Sequence, residues 1–287
     1  MHKSIWVLYG SCLLAFVASS VAVRGETITS GDMEVEFYND AGPGSVPDAR
    51  DAFVFTGGTK AGVHFLYSGW WAFREPGDTD ESAFHSPTTE SFVGDTATLA
   101  FSETNFDADL TMVLGANSFV HTMIITNTSG ASLDLNLFHL SDVDLGDNEN
   151  YDDSAVLTGS DHVVVTSIDA PPPGTSGLTV VANGATAAVA GDVDEEEPGL
   201  MDIYGLMDDG LITNFTNGTG FPFVAATDGD FNAGFQWTPT FDSGETLTFE
   251  TTYTLTPVPE PSSLLLAGIG ALGLFGYGRR RRQTSAA

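Results

Sequence analysis

The sequence predicts an all-β chain, a large antiparallel β-sandwich framed by one apolar segment at each end. Three observations carry that expectation. Between residues 26 and 256 the apolar residues recur with period two, as strands with one wet face require, and nowhere show the 3.6 period of an amphipathic helix. Turn signals rich in Gly, Asn and Asp interrupt the alternation repeatedly. The body, about 230 residues long, is large enough to close an ordinary hydrophobic core. It needs one, because the chain holds a single cysteine, Cys12, and so no disulfide.

Taken in chain order, residues 1–25 begin with His2 and Lys3 and continue through an apolar core from Ile5 to Val17. They close on the small residues Ala18-Ser19-Ser20-Val21-Ala22. This is the three-part layout of a secretory signal peptide, with cleavage after Ala22 or Gly25, and it implies the general secretion machinery as a partner. Cys12 leaves with it, so the exported body has no thiol chemistry. Strands are expected at 33–38, 52–56, 96–105, 109–114, 119–126, 133–145, 162–168, 179–190 and 245–255, where β-branched and aromatic residues alternate with Thr, Ser, Asp or Asn. Turn signals stand at 39–44, 57–58, 128–130, Asn183-Gly184 and Asp242-Ser243-Gly244. Pro171-Pro172-Pro173-Gly174 is the one stiff break, and the segment after it is expected to complete the same sandwich. No repeat of fixed period suggests a solenoid or propeller.

Residues 26–256 carry three Lys or Arg against 38 Asp or Glu, a net charge of −35. Such a surface repels phosphate backbones and anionic lipid, which excludes nucleic acid as a partner, and it attracts cations. The densest acidic stretch runs from His139 to Asp153. Strand alternation puts Leu135, Leu137, Val143 and Leu145 on one face, and therefore Asp142 and Asp144 together on the other. Asp147, Glu149, Asp152 and Asp153 follow at once. Carboxylates this crowded are exposed, protonated or bridged by a cation, and hard oxygen ligands suit Ca²⁺. The spacing is not that of an EF-hand. A solvated acidic loop and a catalytic carboxylate pair are the other readings of the same residues. Asp228-Gly229-Asp230-Phe231-Asn232 is a second oxygen-rich run, and 192–197 a third.

Trp70, Trp71 and Trp237 are candidate carbohydrate contacts, since an exposed indole stacks on a sugar ring; adjacent tryptophans on a strand point to opposite faces. The alternative place for them is the core. His121 and His139 sit inside alternating strands and are expected to be hydrogen-bonded structural residues. No phosphate loop, dinucleotide fingerprint, zinc pattern or nucleophile elbow occurs. Threonines alternate along 246–254, a solvent-face pattern that also suits contact with ice or a crystalline polysaccharide.

The C-terminal segment, 257–287, is the most specific part of the chain. Pro257, Pro259 and Pro261 each fix their own φ and bias the preceding residue away from helix, so Glu260 is presented on an extended strand. Ser262–Gly278 is 17 residues long, about 25 Å as a helix and slightly short for a bilayer core of about 30 Å. Arg279, Arg280, Arg281 and Arg282 follow directly, and would hold that end in the cytoplasm while the body lies outside. Pro259-Glu260-Pro261, the Ser262-Ser263-Leu264 step, the Gly/Leu helix and the arginines together resemble the PEP-CTERM sorting signal of Gram-negative bacteria. The resemblance implies recognition by exosortase, a membrane-embedded cysteine transpeptidase. Release from a transient membrane anchor and delivery to the cell surface or extracellular polysaccharide would follow.

The resemblance carries no information about residues 26–256. For these the expectation is a non-catalytic structural or adhesion role in an extracellular matrix, with polysaccharide and Ca²⁺ as ligands. The alternative is a secreted carbohydrate-active enzyme using two of the clustered carboxylates.

Overall fold

A computed structural model describes residues 26–38, 48–55, 66, 68–84, 87–143, 145, 153–157, 159–167, 176–192, 203, 207, 210–216 and 231–257. The signal peptide of 1–25 and the helix of 262–278 lie outside these residues. No helix among the described residues is long and apolar enough to cross a membrane. The elements are strands: β1 (Glu26–Ser30), β2 (Met33–Tyr38), β3 (Asp48–Phe55), β4 (Ser68–Arg74), β5 (Ser82–Ala83), β6 (Thr89–Val93), β7 (Thr96–Ser102), β8 (Phe106–Leu114) and β9 (Ser118–Asn127). They continue with β10 (Leu133–Asp134), β11 (Asn136–Val143), β12 (Asp153–Leu157), β13 (His162–Ser167), β14 (Ser176–Asn183), β15 (Ala187–Asp192), β16 (Phe231–Trp237), β17 (Thr240–Phe241) and β18 (Thr246–Pro257).

All pairings are antiparallel. One sheet has eight strands in the order β12-β13-β14-β18-β9-β8-β7-β6, and another has five in the order β15-β16-β11-β4-β5. Their facing sides enclose one continuous core. β8 shows how the sequence dictates this: Phe106, Ala108, Leu110, Met112 and Leu114 are buried, while the intervening Asp107, Asp109 and Val113 are exposed. Across the gap, Phe73 meets Phe106 edge-on at 5.0 Å and Trp237 meets Phe249 at 5.9 Å between ring centroids. Each large side chain buried there is worth about 1.5–3 kcal/mol. β1, β2 and β3 form a small third sheet, whose Ile28, Met33, Val35 and Phe37 join the same core, with Phe37 5.1 Å from Phe92.

The second strand of the expected 179–190 run begins only after a turn: Asn183-Gly184 splits the run into β14 and β15, with Gly184 at φ 70°. Likewise 133–145 is divided into β10 and β11. β1, β4, β6, β12 and β16 were not marked by alternation. For β4 and β16 the reason is physical. The five-stranded sheet is buried on both faces, because Ile203, Met207 and Phe215 pack on its outer side against Ala72, Phe138, Leu140, Ala187 and Val189. A strand without a wet face has no reason to alternate.

Candidate functional site

A column of buried polar side chains joins the two large sheets. His121 on β9 and Tyr253 on β18 point inward from the eight-stranded sheet, and His139 and Ser141 on β11 meet them from the five-stranded one. His139 Nε2 lies 3.2 Å from His121 Nδ1 and 3.3 Å from the Tyr253 hydroxyl, which in turn lies 2.6 Å from Ser141 Oγ. Gly69 makes room for this: a Cβ there would stand 3.3 Å from the Tyr253 oxygen. The Trp71 ring packs over His139 at 4.5 Å and stacks on Trp237 at 5.4 Å. A pocket about the size of one water adjoins His121, walled by Gly69, Trp70, Trp71, Phe84, Phe101, Leu110 and Met112.

Burial governs the chemistry here. Desolvation pushes the His121 imidazolium down to about 3, and holds His139 well below the usual histidine range, with repulsion from His121 adding to it. Both rings are neutral at ordinary pH, and His121 Nε2 and His139 Nδ1 have no hydrogen-bond partner among the described residues. Ser141 is bonded to a tyrosine rather than to an imidazole, so the column lacks the nucleophile–base contact of acyl transfer. The expectation that both histidines are structural agrees with this geometry.

The outer face of the five-stranded sheet holds a second polar group. Arg74, 6 % exposed, donates to Glu81 Oε1, to the Thr213 carbonyl and, at 2.7 Å, to Asn214 Oδ1; its guanidinium also lies 5.6 Å from the centre of the Phe138 ring. Glu81 Oε1 also accepts the Thr213 backbone N–H at 2.9 Å, and Gln236 Oε1 accepts that of Phe215 at 2.7 Å. These contacts clip the 213–215 segment over the sheet.

Trp71 and Trp237 are 2 % and 3 % exposed and belong to the inter-sheet core, so they offer no stacking surface to a sugar. Of the two places expected for them, platform or core, both take the core, because they project from the inner face of the five-stranded sheet toward the eight-stranded one. Trp70 points the other way and is half-buried against the second core. Asp142 lies opposite to Val143, as alternation required, but the side expected to be wet is covered: Asp142 is only 8 % exposed. Asp153 opens β12 opposite Ser167. Asp144, Asp147, Glu149 and Asp152 lie outside the described residues, and among those described no group of three His, Cys, Asp or Glu stands close enough to hold a metal ion. The register nevertheless brings one described residue from each of three oxygen-rich runs to one end of the sheet. Asp142 pairs with Asn232, Asn232 with Gly191, and Asp192 with Phe231. Asp142, Asp192 and Asn232, one described residue from each run, therefore stand on neighbouring strands there. Sequence spacing gave no hint of that convergence.

Pro259, Glu260 and Pro261, expected as the processing site, and the arginines 279–282 also lie outside the described residues. Residues 257–282 match the family described as the PEP-CTERM protein-sorting motif. The tail is a PEP-CTERM sorting signal. No curated protein matches the chain in sequence. In fold, the chain is similar to a bacterial glucoamylase complexed with acarbose, with a TM-score of 0.51 and 9 % identity, over 87 % of this chain and 34 % of that one. It therefore spans about a third of the glucoamylase's length. Weaker matches include a galactose mutarotase-like protein from Clostridium acetobutylicum (TM-score 0.46, 10 % identity, 81 % and 95 % of the two chains). Another is a GH92 α-mannosidase from Bacteroides thetaiotaomicron (0.41, 11 %, 83 % and 31 %). At these identities the likeness is one of β-sandwich fold.

Proposed function

We propose that the chain is exported, held briefly in the inner membrane by residues 262–278, and processed by exosortase at Pro259-Glu260-Pro261. The released sandwich then acts at the cell surface or in the extracellular matrix as a non-catalytic structural or adhesion protein that binds polysaccharide. The sorting motif at 257–282 is the observation that carries this reading. A signal peptide in front and a proline-stiffened, membrane-adjacent motif behind give a transpeptidase the extended substrate it needs. Ca²⁺ is proposed as a stabilising ligand at Asp142, Asp144, Asp147, Glu149, Asp152 and Asp153. The placement of Asp142, Asp192 and Asn232 on neighbouring strands at one sheet end supports it.

Intact-mass analysis of protein from the producing organism tests the sorting step: residues beyond about 261 should be missing. A mature species that keeps the arginine run would refute it. Co-sedimentation with the organism's own extracellular polysaccharide tests the binding role.

The alternative, a secreted carbohydrate-active enzyme, is supported by the fold shared with part of a glucoamylase. It requires two carboxylates about 5–5.5 Å or about 6.5–9.5 Å apart across a cleft, drawn from the 142–153 cluster. Shortened sugar chains in the same co-sedimentation experiment would favour it.

A further inference from the structure

The threonines scattered through the sequence are gathered by the strand register onto one surface, the outer face of the eight-stranded sheet. Ser91 pairs with Thr98, Thr98 with Thr111 and Thr111 with Thr122, so four hydroxyl residues stand abreast on β6, β7, β8 and β9. At strand spacings of about 4.8 Å this row is about 14 Å long. The next row, two residues along each strand, is Val93, Thr96, Val113, Val120, Thr252 and Val181, which reaches across β18 to β14. It runs about 24 Å. Both rows are open: Val93 is 71 % exposed and Val113 39 %, and the others are half-buried or exposed. β-branched side chains are restricted at χ1, so hydroxyls and methyls are presented with less rotamer entropy to lose than longer side chains carry.

We infer that this face binds a neutral, extended polysaccharide lying across the strands, with pyranose C–H faces on the valine row and ring hydroxyls on the Ser91–Thr122 row. The inference rests on the polysaccharide-binding reading above and names its surface and its sugar class. The occupant follows from what the face carries and lacks. Thr98, Thr111, Thr122 and Thr252 spend their hydroxyls on no hydrogen bond to another described residue, whereas Thr126 and Thr246 pair with each other at 2.9 Å outside the two rows. Asp107, Asp109 and Glu250 flank the rows, the strands that form them (β6–β9, β14 and β18) contain no Lys or Arg, and Arg74 is buried in the other sheet. Uronate or sulfated chains are therefore repelled, as is a second copy of a body with net charge −35. The same acids interrupt the hydroxyl array and make a water lattice a poor complement.

The test uses the full chain in detergent, sedimented with microcrystalline cellulose, with an immobilised polyuronate and with the producing strain's polysaccharide. The isosteric triple variant T111V/T122V/T252V removes three hydroxyls from solvent-facing strand positions and keeps β propensity; far-UV circular dichroism and melting verify its fold. Ile212→Ser, on an exposed residue of the opposite sheet's cover, is the control. The expected result is salt-insensitive binding of wild type to a neutral sugar, about tenfold weaker in the triple variant and unchanged in the control. A triple variant that binds as wild type does overturns this surface and leaves the polysaccharide reading standing. Preference for the polyuronate overturns the sugar class. A wild type that pellets with no sugar, or that enters growing ice instead, overturns both.

Discussion

Acid should open this sandwich through its buried histidines, and His121 gives the magnitude. Its imidazole is fully enclosed between the sheets and titrates at about 3 in the folded chain, against about 6.5 when unfolded. The unfolded chain therefore takes up the proton first, and the stability that this site confers is full above about pH 6.5, falls as the pH drops, and levels off near 3. Within that window the slope approaches 1.4 kcal/mol per pH unit, so between pH 6 and 4 this residue alone removes about 2–3 kcal/mol. Total domain stability is only about 5–15 kcal/mol. His139, shifted in the same direction, steepens the fall. Protonation of the acidic surface relieves repulsion and acts the opposite way, so the informative quantity is a difference between two chains. His121→Asn places an amide where Nδ1 now meets His139 at 3.2 Å and cannot titrate. Urea unfolding followed by tryptophan fluorescence at pH 4–8 should show the gap between wild type and variant changing by about 2–3 kcal/mol in favour of the variant as the pH falls from 6 to 4. A gap independent of pH would refute the reasoning.

Other perturbations probe the remaining buried contacts. Arg74→Met should cost about 3–5 kcal/mol because Glu81 is left charged and enclosed, and Arg74→Met with Glu81→Gln should recover most of it in the same urea assay. Gly234→Ala would set a Cβ 2.8 Å from the Phe215 ring and 3.2 Å from Ile203, and a loss of about 1–3 kcal/mol, seen as a lower Tm, is expected. Millimolar Ca²⁺ should raise Tm in proportion to the logarithm of its concentration above Kd, and Asp144→Asn should abolish the shift. An unchanged shift in that variant removes the 142–153 cluster as the site.

How much of this was legible beforehand depended on whether a residue's surroundings were local. Met33–Tyr38 and the strands from Phe106 to Asn127 stand where alternation put them, because one side of each faces the core and the other does not. β4, with Trp70 and Trp71, and β16, with Trp237, gave no alternation, because a cover from residues 203–215 buries the second face. Asp142, on the same outer side of β11, is likewise buried rather than open. The inward positions of His121 and His139 were readable from Phe119-His121-Met123 and Leu137-His139-Ser141. Their meeting at 3.2 Å was not, since it depends on two strands of different sheets facing each other. The motif at 257–282 was legible, because such a signal is read as a linear segment and needs no fold.

The burial of Arg74 has a consequence for survival outside the cell. Beyond it the chain contains no Lys or Arg until Arg279, which lies on the far side of the processing motif. In the folded body a protease specific for basic side chains would find nothing to cleave through β5 to β18, and Arg74, clamped by Glu81 and the Thr213 carbonyl, is withheld from it. The acidity that repels polyanions thus also removes the cleavage sites of trypsin-like enzymes from almost the whole sandwich.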